Sequence, residues 1–213
     1  MSSTRTAERV GAGDWPGIVE ELDAHGCAPT HRLLTAAQCR SLADGYDRTE
    51  RFRSTVDLAR YRFGSGQYRY FAEPLPGLVR ELRAAFYPLL LPIARDWAAR
   101  LGRPAPWPDT LEEWLAHCHA AGQAKCAQIL LRYGPGDWNA LHRDLFGEAV
   151  FPLQVVIGLD APGADYTGGE FLLVEQRPVA SRRGWSAAPV RHGVSAVRSG
   201  RRRTLGLVFH DAS

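Results

Sequence analysis

The triplet His142-Arg143-Asp144, followed far downstream by His192, constrains the fold more than any other feature of this 213-residue chain. Residues two positions apart on a strand point to the same side, so His142 and Asp144 can converge on one ion while Arg143 points away. The third ligand must then come from a distant strand that lies beside the first. Two imidazoles and a carboxylate occupy one face of an octahedral iron(II) ion and leave three positions open. The pattern therefore predicts a sheet that carries an open metal site with redox chemistry.

A cationic residue follows at a suitable distance from His192. Arg202 begins an apolar run that ends at Phe209, and Arg202 and Thr204 share one face of the predicted strand. A guanidinium fork beside a hydroxyl can bind a carboxylate, which suits a dicarboxylate co-substrate. The sequence alone leaves open whether Arg201 or Arg202 faces the pocket.

Five stretches carry a family resemblance: Tyr133-Gly134, His142-Arg143-Asp144-Leu145, Phe151-Pro152-Leu153-Gln154, Tyr166-Thr167-Gly168-Gly169-Glu170-Phe171, and Arg191-His192-Gly193-Val194 continuing to His210-Asp211. In this order they resemble the Fe(II)/2-oxoglutarate-dependent dioxygenases, and more closely a bacterial AlkB-like branch linked to oxidative demethylation of damaged nucleic acid. The resemblance implies an α+β fold, with a double-stranded β-helix core of the jelly-roll or cupin type and N-terminal packing helices.

The resemblance also implies roles for particular residues. The implied iron(II) ligands are His142, Asp144 and His192. Arg202 would bind the distal carboxylate of 2-oxoglutarate, and Tyr133 and Thr204 would hydrogen-bond the same co-substrate. With dioxygen, such a site hydroxylates a C–H bond; on an N-methylated base of DNA or RNA the product collapses to formaldehyde and the unmodified base.

One departure from the family pattern lies between the Gly-Gly-Glu stretch and His192. Members of the branch place a strand of the type Gly-Asp-apolar-apolar-Phe there, whereas here Glu175-Gln176-Arg177-Pro178 runs almost directly into Ser181-Arg182-Arg183-Gly184-Trp185. The segment between Pro178 and His192 is too short and too polar to replace it. We therefore expect a core that lacks one strand, with an exposed edge, and the sequence leaves open whether the loss impairs iron binding or activity.

Other readings of the histidines remain. The same triplet opens a kinase catalytic loop, but Ala149 stands where that loop needs asparagine. His210 competes with His192 as third ligand, although it lies near the chain end. The cluster His117-Cys118-His119 with Cys126 could bind zinc. However, Asp109 to Ala120 has a helical pattern with an Asp109/Glu112 cap, on which the two histidines diverge.

A substrate surface is predicted from two stretches that interleave cations and aromatics. Arg60-Tyr61-Arg62-Phe63 and Tyr68-Arg69-Tyr70-Phe71 flank Gly64-Ser65-Gly66, which is typical of a hairpin. Such a surface could stack an unpaired base and neutralise phosphates, with Tyr68, Arg69 and Arg62 as candidates; the alternative is a hairpin whose aromatics cover the core. The net charge of +3 permits a polyanionic partner without requiring one.

The expected organisation places helices first and strands later. We expect a flexible N-terminus over residues 1–13 and one oxygenase domain over residues 14–213. Predicted helices run from Asp14 to Ala24, from Thr35 to Asp44, from Leu78 to Leu101 with interruptions at Pro88 and Pro92, and from Asp109 to Ala120. Predicted strands run from Ala127 to Tyr133, Phe151 to Leu159, Glu170 to Val174, His192 to Val197 and Thr204 to Phe209.

Composition indicates an ordinary folded chain, 45% hydrophobic and 23% charged. Four cysteines without a disulfide pattern, and no secretory leader, favour reduced thiols and a cytoplasmic location. No apolar run reaches the length of a membrane span. Two alternatives to the demethylase remain: a hydroxylase of a protein side chain or small metabolite on the same site, and a degenerate, non-catalytic β-helix that binds a partner. The sequence indicates neither the substrate nor the oligomeric state.

Overall fold

The computed structural model describes residues 2–144, 147–175 and 190–213. Its α-helices are α1 (Ser2–Gly11), α2 (Trp15–His25), α3 (Ala36–Asp44), α4 (Gly77–Arg100) and α5 (Leu111–Ala120). Its strands are β1 (Phe52–Asp57), β2 (Gly64–Ser65), β3 (Gln67–Phe71), β4 (Ile129–Tyr133), β5 (Trp138–His142), β6 (Gln154–Gly158), β7 (Tyr166–Gly168), β8 (Phe171–Glu175), β9 (Val190–Val194), β10 (Val197–Gly200) and β11 (Arg202–Val208).

The strands form two larger antiparallel sheets on either side of a cavity. One has the order β1-β3-β4-β11-β6 and the other the order β2-β5-β9-β8, while β7 and β10 form a separate pair. Residues from both larger sheets line the same cavity. Helices cover the outer face of the five-stranded sheet. The arrangement confirms the predicted α+β class with a jelly-roll core.

Strand β11 separates two environments by simple alternation. Leu205 and Leu207 are fully buried and belong to the same core cluster as Phe86 of α4. Arg202 and Thr204 point the other way and line the cavity. Because successive strand residues face opposite sides, one apolar run builds both the core and the site. Each buried leucine stabilises the fold by roughly 1.5–3 kcal/mol.

Helix α4 does not break at its prolines, contrary to the prediction. Pro88 and Pro92 both lie inside the continuous helix Gly77–Arg100. A proline removes the hydrogen bond to the carbonyl four residues earlier, here those of Ala84 and Pro88. Ala84, Pro88 and Pro92 are all exposed. Water can therefore hydrate the freed carbonyls, while the opposite face of the helix remains packed in the core.

Residues 2–11, for which the sequence predicted a flexible N-terminus, form helix α1. Val10 is only 2% exposed and joins the core, and Thr6 donates a hydrogen bond to Glu81 of α4 at 2.9 Å. Of residues 4–11 in this otherwise polar helix, only Thr6 and Val10 are buried, which is why its composition suggested flexibility. The helix is stabilised by tertiary packing against α4 rather than by its own sequence.

The next two helices agree with the sequence. Helix α2 begins after Asp14, whose carboxylate accepts from the backbone N–H of Gly17. Helix α3 begins after Thr35, which forms a reciprocal capping box with Gln38. In α5 the helix is confirmed but the cap is different, since Thr110 rather than Asp109 accepts from the backbone of the third helical residue.

The predicted strands are confirmed with three corrections. The stretch His192 to Val197 is split, because β9 and β10 belong to different sheets. The predicted hairpin is wrong in its first arm, because Arg60 and Tyr61 belong to a short 3-10 helix and not to a strand. Instead β3 pairs with β1, and Gly64–Ser65 forms the short strand β2, which pairs with β5. Strands β1, β5 and β7 are missing from the predicted strands, although the spacing of His142 and Asp144 had indicated a strand at the end of β5.

The predicted loss of a strand concerns residues 176–189, which lie outside the described residues. Around that gap, β8 and β9 pair directly, with Glu175 opposite Val190. Within the described ranges, β8 and β6 each have a strand partner on one side only. Several apolar side chains at these edges are more than two-fifths exposed: Val156, Phe171, Leu172 and Val174. The helices described here include none that is both long and apolar enough to cross a membrane.

Candidate active site

Two neighbouring strands bring the predicted metal ligands together. His142 of β5 stands directly opposite His192 of β9 in the antiparallel register. Asp144, two residues beyond the end of β5, turns back so that its carboxylate lies 3.5 Å from His142 Nε2 and 3.2 Å from His192 Nε2. One ligand atom from each residue lies within 4.8 Å of the others. Ligands of one octahedral ion at roughly 2.1 Å are separated by about 3 Å, so the donor set fits a single ion.

Hydrogen bonding selects which imidazole nitrogen faces this centre. His142 Nδ1 lies 2.7 Å from the carbonyl oxygen of Ala140 and donates its proton there, so Nε2 is the nitrogen that faces the centre, where a bound ion would replace its proton. Burial disfavours the charged form of His142, but Asp144 and that carbonyl raise its pKa overall. Burial alone would raise the pKa of Asp144, yet hydrogen bonds from both histidines hold it well below its usual range. The carboxylate is therefore ionised, as a metal ligand must be.

The triad opens into a cavity of about 440 Å³ between the two larger sheets. Every second residue of β3, β4 and β11 faces it, as in the run Arg202, Thr204, Gly206, Val208 of β11. Gly206 leaves space at the centre, because a Cβ there would lie 2.8 Å from Ile129. Arg143, expected to point away, also borders the cavity, since the extended strand ends at His142.

The three consecutive arginines have three different environments. Arg201 is exposed, whereas Arg202 is 6% exposed and lines the cavity. Arg203 points to the opposite side and binds Asp160 at 2.6 Å. The Nε atom of Arg202 is buried without a hydrogen-bond partner. A buried guanidinium facing a cavity with an unused donor suits an incoming carboxylate.

Tyr133 and Thr204 border the same end of the cavity as Arg202. Tyr133 is fully buried, and its ring lies 5.8 Å from the Arg202 guanidinium carbon. Burial raises the pKa of Tyr133 to about 12, so its hydroxyl keeps its proton at neutral pH. The side-chain amide of Asn139 lies 3.2 Å from the Tyr133 hydroxyl. Sequence reasoning missed Asn139, because an inward-facing position is recognisable only once β5 is known to be a strand.

Of the three proposed substrate residues, the structure brings only Tyr68 to the cavity. Arg69, its neighbour on β3, points to the other face, where it donates to the Tyr46 carbonyl at 2.6 Å and lies over the Tyr46 ring. Arg62 follows a short 3-10 helix and does not border the cavity. Alternation along β3 places Tyr68 and Arg69 on opposite faces of the sheet.

Aromatic side chains surround the cavity entrance. Tyr61 and Phe63, part of the same sequence stretch, are 56% and 53% exposed and line it. Phe171 stacks nearly parallel on the His192 ring, with centroids 5.7 Å apart and an interplanar angle of 19°. Tyr70 contacts Tyr68 edge-on. A flat, apolar group could lie between these rings close to the metal triad.

The other candidate histidines make contacts away from the metal triad. His210 is 1% exposed, and its Nδ1 accepts a hydrogen bond from the Phe151 backbone at 3.2 Å. His117 stacks on Trp114, and His119 binds Asp211 at 2.9 Å. In the described part of the chain, His142, Asp144 and His192 form the one group with metal-binding geometry. The structure thus favours His192 over His210.

The fold and the family match place this chain among the jelly-roll oxygenases. A crystal structure of a Pseudomonas putida prolyl-4-hydroxylase has the same fold, with a TM-score of 0.55 at 17% identity over 93% of this chain and 99% of that one. The family model Oxygenase-NA, described as "Oxygenase, catalysing oxidative methylation of damaged DNA", matches residues 66–179 and 174–212. The chain belongs to this family, and its resemblance to AlkB-like dioxygenases is confirmed.

Two curated relatives come from Mycobacterium tuberculosis, strains CDC 1551 / Oshkosh and ATCC 25618 / H37Rv, and each is named an uncharacterized protein. Both are 55% identical to this chain over 168 residues, which cover 67% of this chain and 72% of the relative. Since 67% of 213 residues is about 143, about 25 of the 168 aligned positions have no counterpart here. The family match is divided into two stretches that overlap at residues 174–179. This division of the match just after β8 agrees with a segment missing there.

Proposed function

We propose that this protein is an Fe(II)- and 2-oxoglutarate-dependent dioxygenase that oxidatively demethylates alkylated DNA or RNA bases. The observation that carries this proposal is the convergence of the His142, Asp144 and His192 side chains on a cavity that also contains buried Arg202. Three ligands that can bind one ion and a buried guanidinium that can bind a carboxylate lie in the same cavity, as a metal and a dicarboxylate require.

The residues fit the two groups chemically. Two imidazole nitrogens and a carboxylate suit iron(II) and leave an open side toward the cavity. The unpartnered Nε of Arg202 provides a donor for the distal carboxylate of 2-oxoglutarate. Bound iron(II), with 2-oxoglutarate and dioxygen, supplies the oxidation of a C–H bond to C–OH, while the oxoacid is converted to succinate and carbon dioxide.

The protein's own residues bind, orient and shield the reactants. Arg202 and the Tyr133 hydroxyl together orient the co-substrate carboxylate, and Thr204, 3% exposed on the same face, adds a hydroxyl. The mostly apolar cavity wall excludes water and so strengthens these charged contacts. Phe171, stacked on His192, limits the space beside the ligand set to flat groups.

A nucleic-acid substrate is supported by the family description and by the aromatic entrance. Tyr61 and Phe63 are exposed at the cavity mouth, where an unpaired base could stack. Hydroxylation of an N-methyl group would give a hemiaminal that releases formaldehyde. The cytoplasm is the compartment that we propose, because nucleic acid and reduced cysteines are found there.

The cofactor part is tested by anaerobic titration with iron(II) and 2-oxoglutarate, followed by the visible metal-to-ligand charge-transfer band. We expect the band in the parent protein and its loss in His142→Ala. The matched control is His25→Ala, because the His25 side chain is 66% exposed on α2. A folded parent without the band would refute the proposal and favour a non-catalytic binding protein.

The substrate part is tested by formaldehyde release from a methylated single-stranded oligonucleotide. Tyr61→Ser should abolish oligonucleotide turnover but preserve uncoupled 2-oxoglutarate decay, because Tyr61 lies at the entrance rather than at the ligands. Trp138→Ser is the control, since Trp138 is 44% exposed yet does not line the cavity. Uncoupled decay without any oligonucleotide turnover in the parent would instead favour a protein or metabolite hydroxylase.

A further inference from the structure

Asn139 has an unusually restricted position beside the site. Its backbone is paired on one side with Gly64 of β2 and on the other with Val194 of β9. Its side chain is 8% exposed and lines the cavity. A polar side chain that is buried at the centre of a sheet is costly unless it makes hydrogen bonds. Its partner is the hydroxyl of Tyr133, at 3.2 Å.

Tyr133 is equally restricted. Gly66 packs against its ring so closely that a Cβ there would lie 2.9 Å from Tyr133 Cδ1. The turn that leads from Tyr133 to β5 is closed by the Gly134 backbone N–H, which donates to the Asp137 carboxylate at 2.8 Å. The phenol ring therefore cannot swing out of the cavity, and only the direction of its O–H bond is left to choose.

The direction of the Tyr133 O–H bond depends on which neighbouring groups can donate and which can accept a hydrogen bond. A phenol has one proton and can also accept. Because the Asn139 amide N–H donates to the hydroxyl oxygen, the phenol proton must go elsewhere. Arg202 offers donors only, and none of the hydrogen bonds among the described residues gives this proton an acceptor. The remaining acceptor is a group that enters the cavity.

We propose that Asn139 is a positioning residue that turns the Tyr133 hydroxyl proton toward the co-substrate carboxylate. This inference rests on the proposed function, since 2-oxoglutarate is the carboxylate concerned. Asn139 acts through Tyr133: its amide occupies the acceptor side of the phenol, so the phenol donates to the same carboxylate as Arg202. With the amide reversed, its carbonyl would capture that proton and the co-substrate would lose one donor.

A double-mutant cycle tests whether Asn139 acts through Tyr133. Variants Asn139→Leu, Tyr133→Phe and the double substitution are compared by charge-transfer titration with 2-oxoglutarate. One hydrogen bond corresponds to about a 3-fold to 10-fold loss of affinity, which we expect for Asn139→Leu. In the Tyr133→Phe background the same change should alter affinity by less than about 2-fold. Iron(II) affinity should be unchanged throughout, which separates positioning from a general loss of structure.

Equal effects of Asn139→Leu in both backgrounds would overturn the proposal, as would no effect in the parent. A second measurement needs neither metal nor co-substrate. Placing 3,5-difluorotyrosine at position 133 lowers the phenol pKa enough for titration by fluorine NMR in the folded protein. If the Asn139 amide donates, Asn139→Leu raises this pKa; if the carbonyl accepts, the pKa falls and the proposal is overturned. A parent without a charge-transfer band would contradict the proposed function, while the sign of this change would still decide the role of Asn139.

Discussion

Replacing Arg202 by methionine should weaken 2-oxoglutarate binding far more than any other single change in the arginine run. Arg202 is 6% exposed, so the bound carboxylate would meet the guanidinium in a space largely without water. Truncating one partner of such a buried, hydrogen-bonded charge pair costs about 2–5 kcal/mol. Since about 1.4 kcal/mol corresponds to a factor of ten, the dissociation constant should rise by about 30-fold to 4,000-fold.

The assay is anaerobic titration of the iron(II)-loaded protein with 2-oxoglutarate, read from the charge-transfer band. Arg201→Met is the matched control, because Arg201 is the adjacent residue, carries the same charge and is exposed. It should change affinity by less than about 3-fold, since exposed charges are screened by solvent and salt.

The ligand-free protein provides a second, opposite expectation. The buried Arg202 Nε has no partner there, so methionine should leave the free energy of unfolding unchanged or raise it. Equal affinity losses for Arg201→Met and Arg202→Met would refute the reasoning, because a long-range charge effect would then explain both. A marked loss of stability in Arg202→Met would show that the arginine serves the fold rather than the co-substrate.

Three further predictions concern the scaffold. Arg83→Met should lower the free energy of unfolding in urea by about 3–5 kcal/mol, because Arg83, 3% exposed, pairs with buried Asp211 at 2.9 Å; a loss below about 1 kcal/mol would contradict this. Burial lowers the pKa of His210 from 6.5 to about 4, so as pH falls through this window the unfolded state gains a proton that the folded state does not. The free energy of unfolding should therefore fall by about 3 kcal/mol as the pH falls from 6.5 to about 4. In His210→Gln the free energy of unfolding should depend less steeply on pH over this range. An equally steep dependence would show that His210 is not its cause. Replacing Leu172 and Val174, both on the edge strand β8, by threonine should reduce concentration-dependent light scattering while the charge-transfer band is retained; equal scattering would mean that this edge does not cause association.

Elements governed by local rules could be predicted from the sequence. Asp14 and Thr35 cap their helices because a side-chain oxygen satisfies backbone N–H groups only a few residues away. Arg202 and Thr204 face one side of β11 because strand alternation needs no information from elsewhere in the chain. The spacing of His142 and Asp144 restricted them to a shared site for a similar reason.

Elements stabilised by distant partners could not be predicted. Strand β5 has little strand pattern of its own and is held between β2 and β9. Helix α1 looks flexible by composition, yet Val10 completes a core built mostly from later residues. Arg69 has the residue type of a phosphate ligand, but the carbonyl and ring of Tyr46 bind it on the other face of the sheet.

By itself, the sequence determined the residue types of the site and which residues of β11 share a face, because these depend on spacing along one chain, while the class of fold followed from the family resemblance. The tertiary structure showed that His192 lies beside His142 and Asp144, whereas His210 is bonded to the Phe151 backbone, and that Arg202 rather than Arg201 lines the cavity. It also revealed Asn139 beside Tyr133. The physical reason is that these outcomes depend on strand register across two sheets, and antiparallel register is set by pairing between segments far apart in the chain.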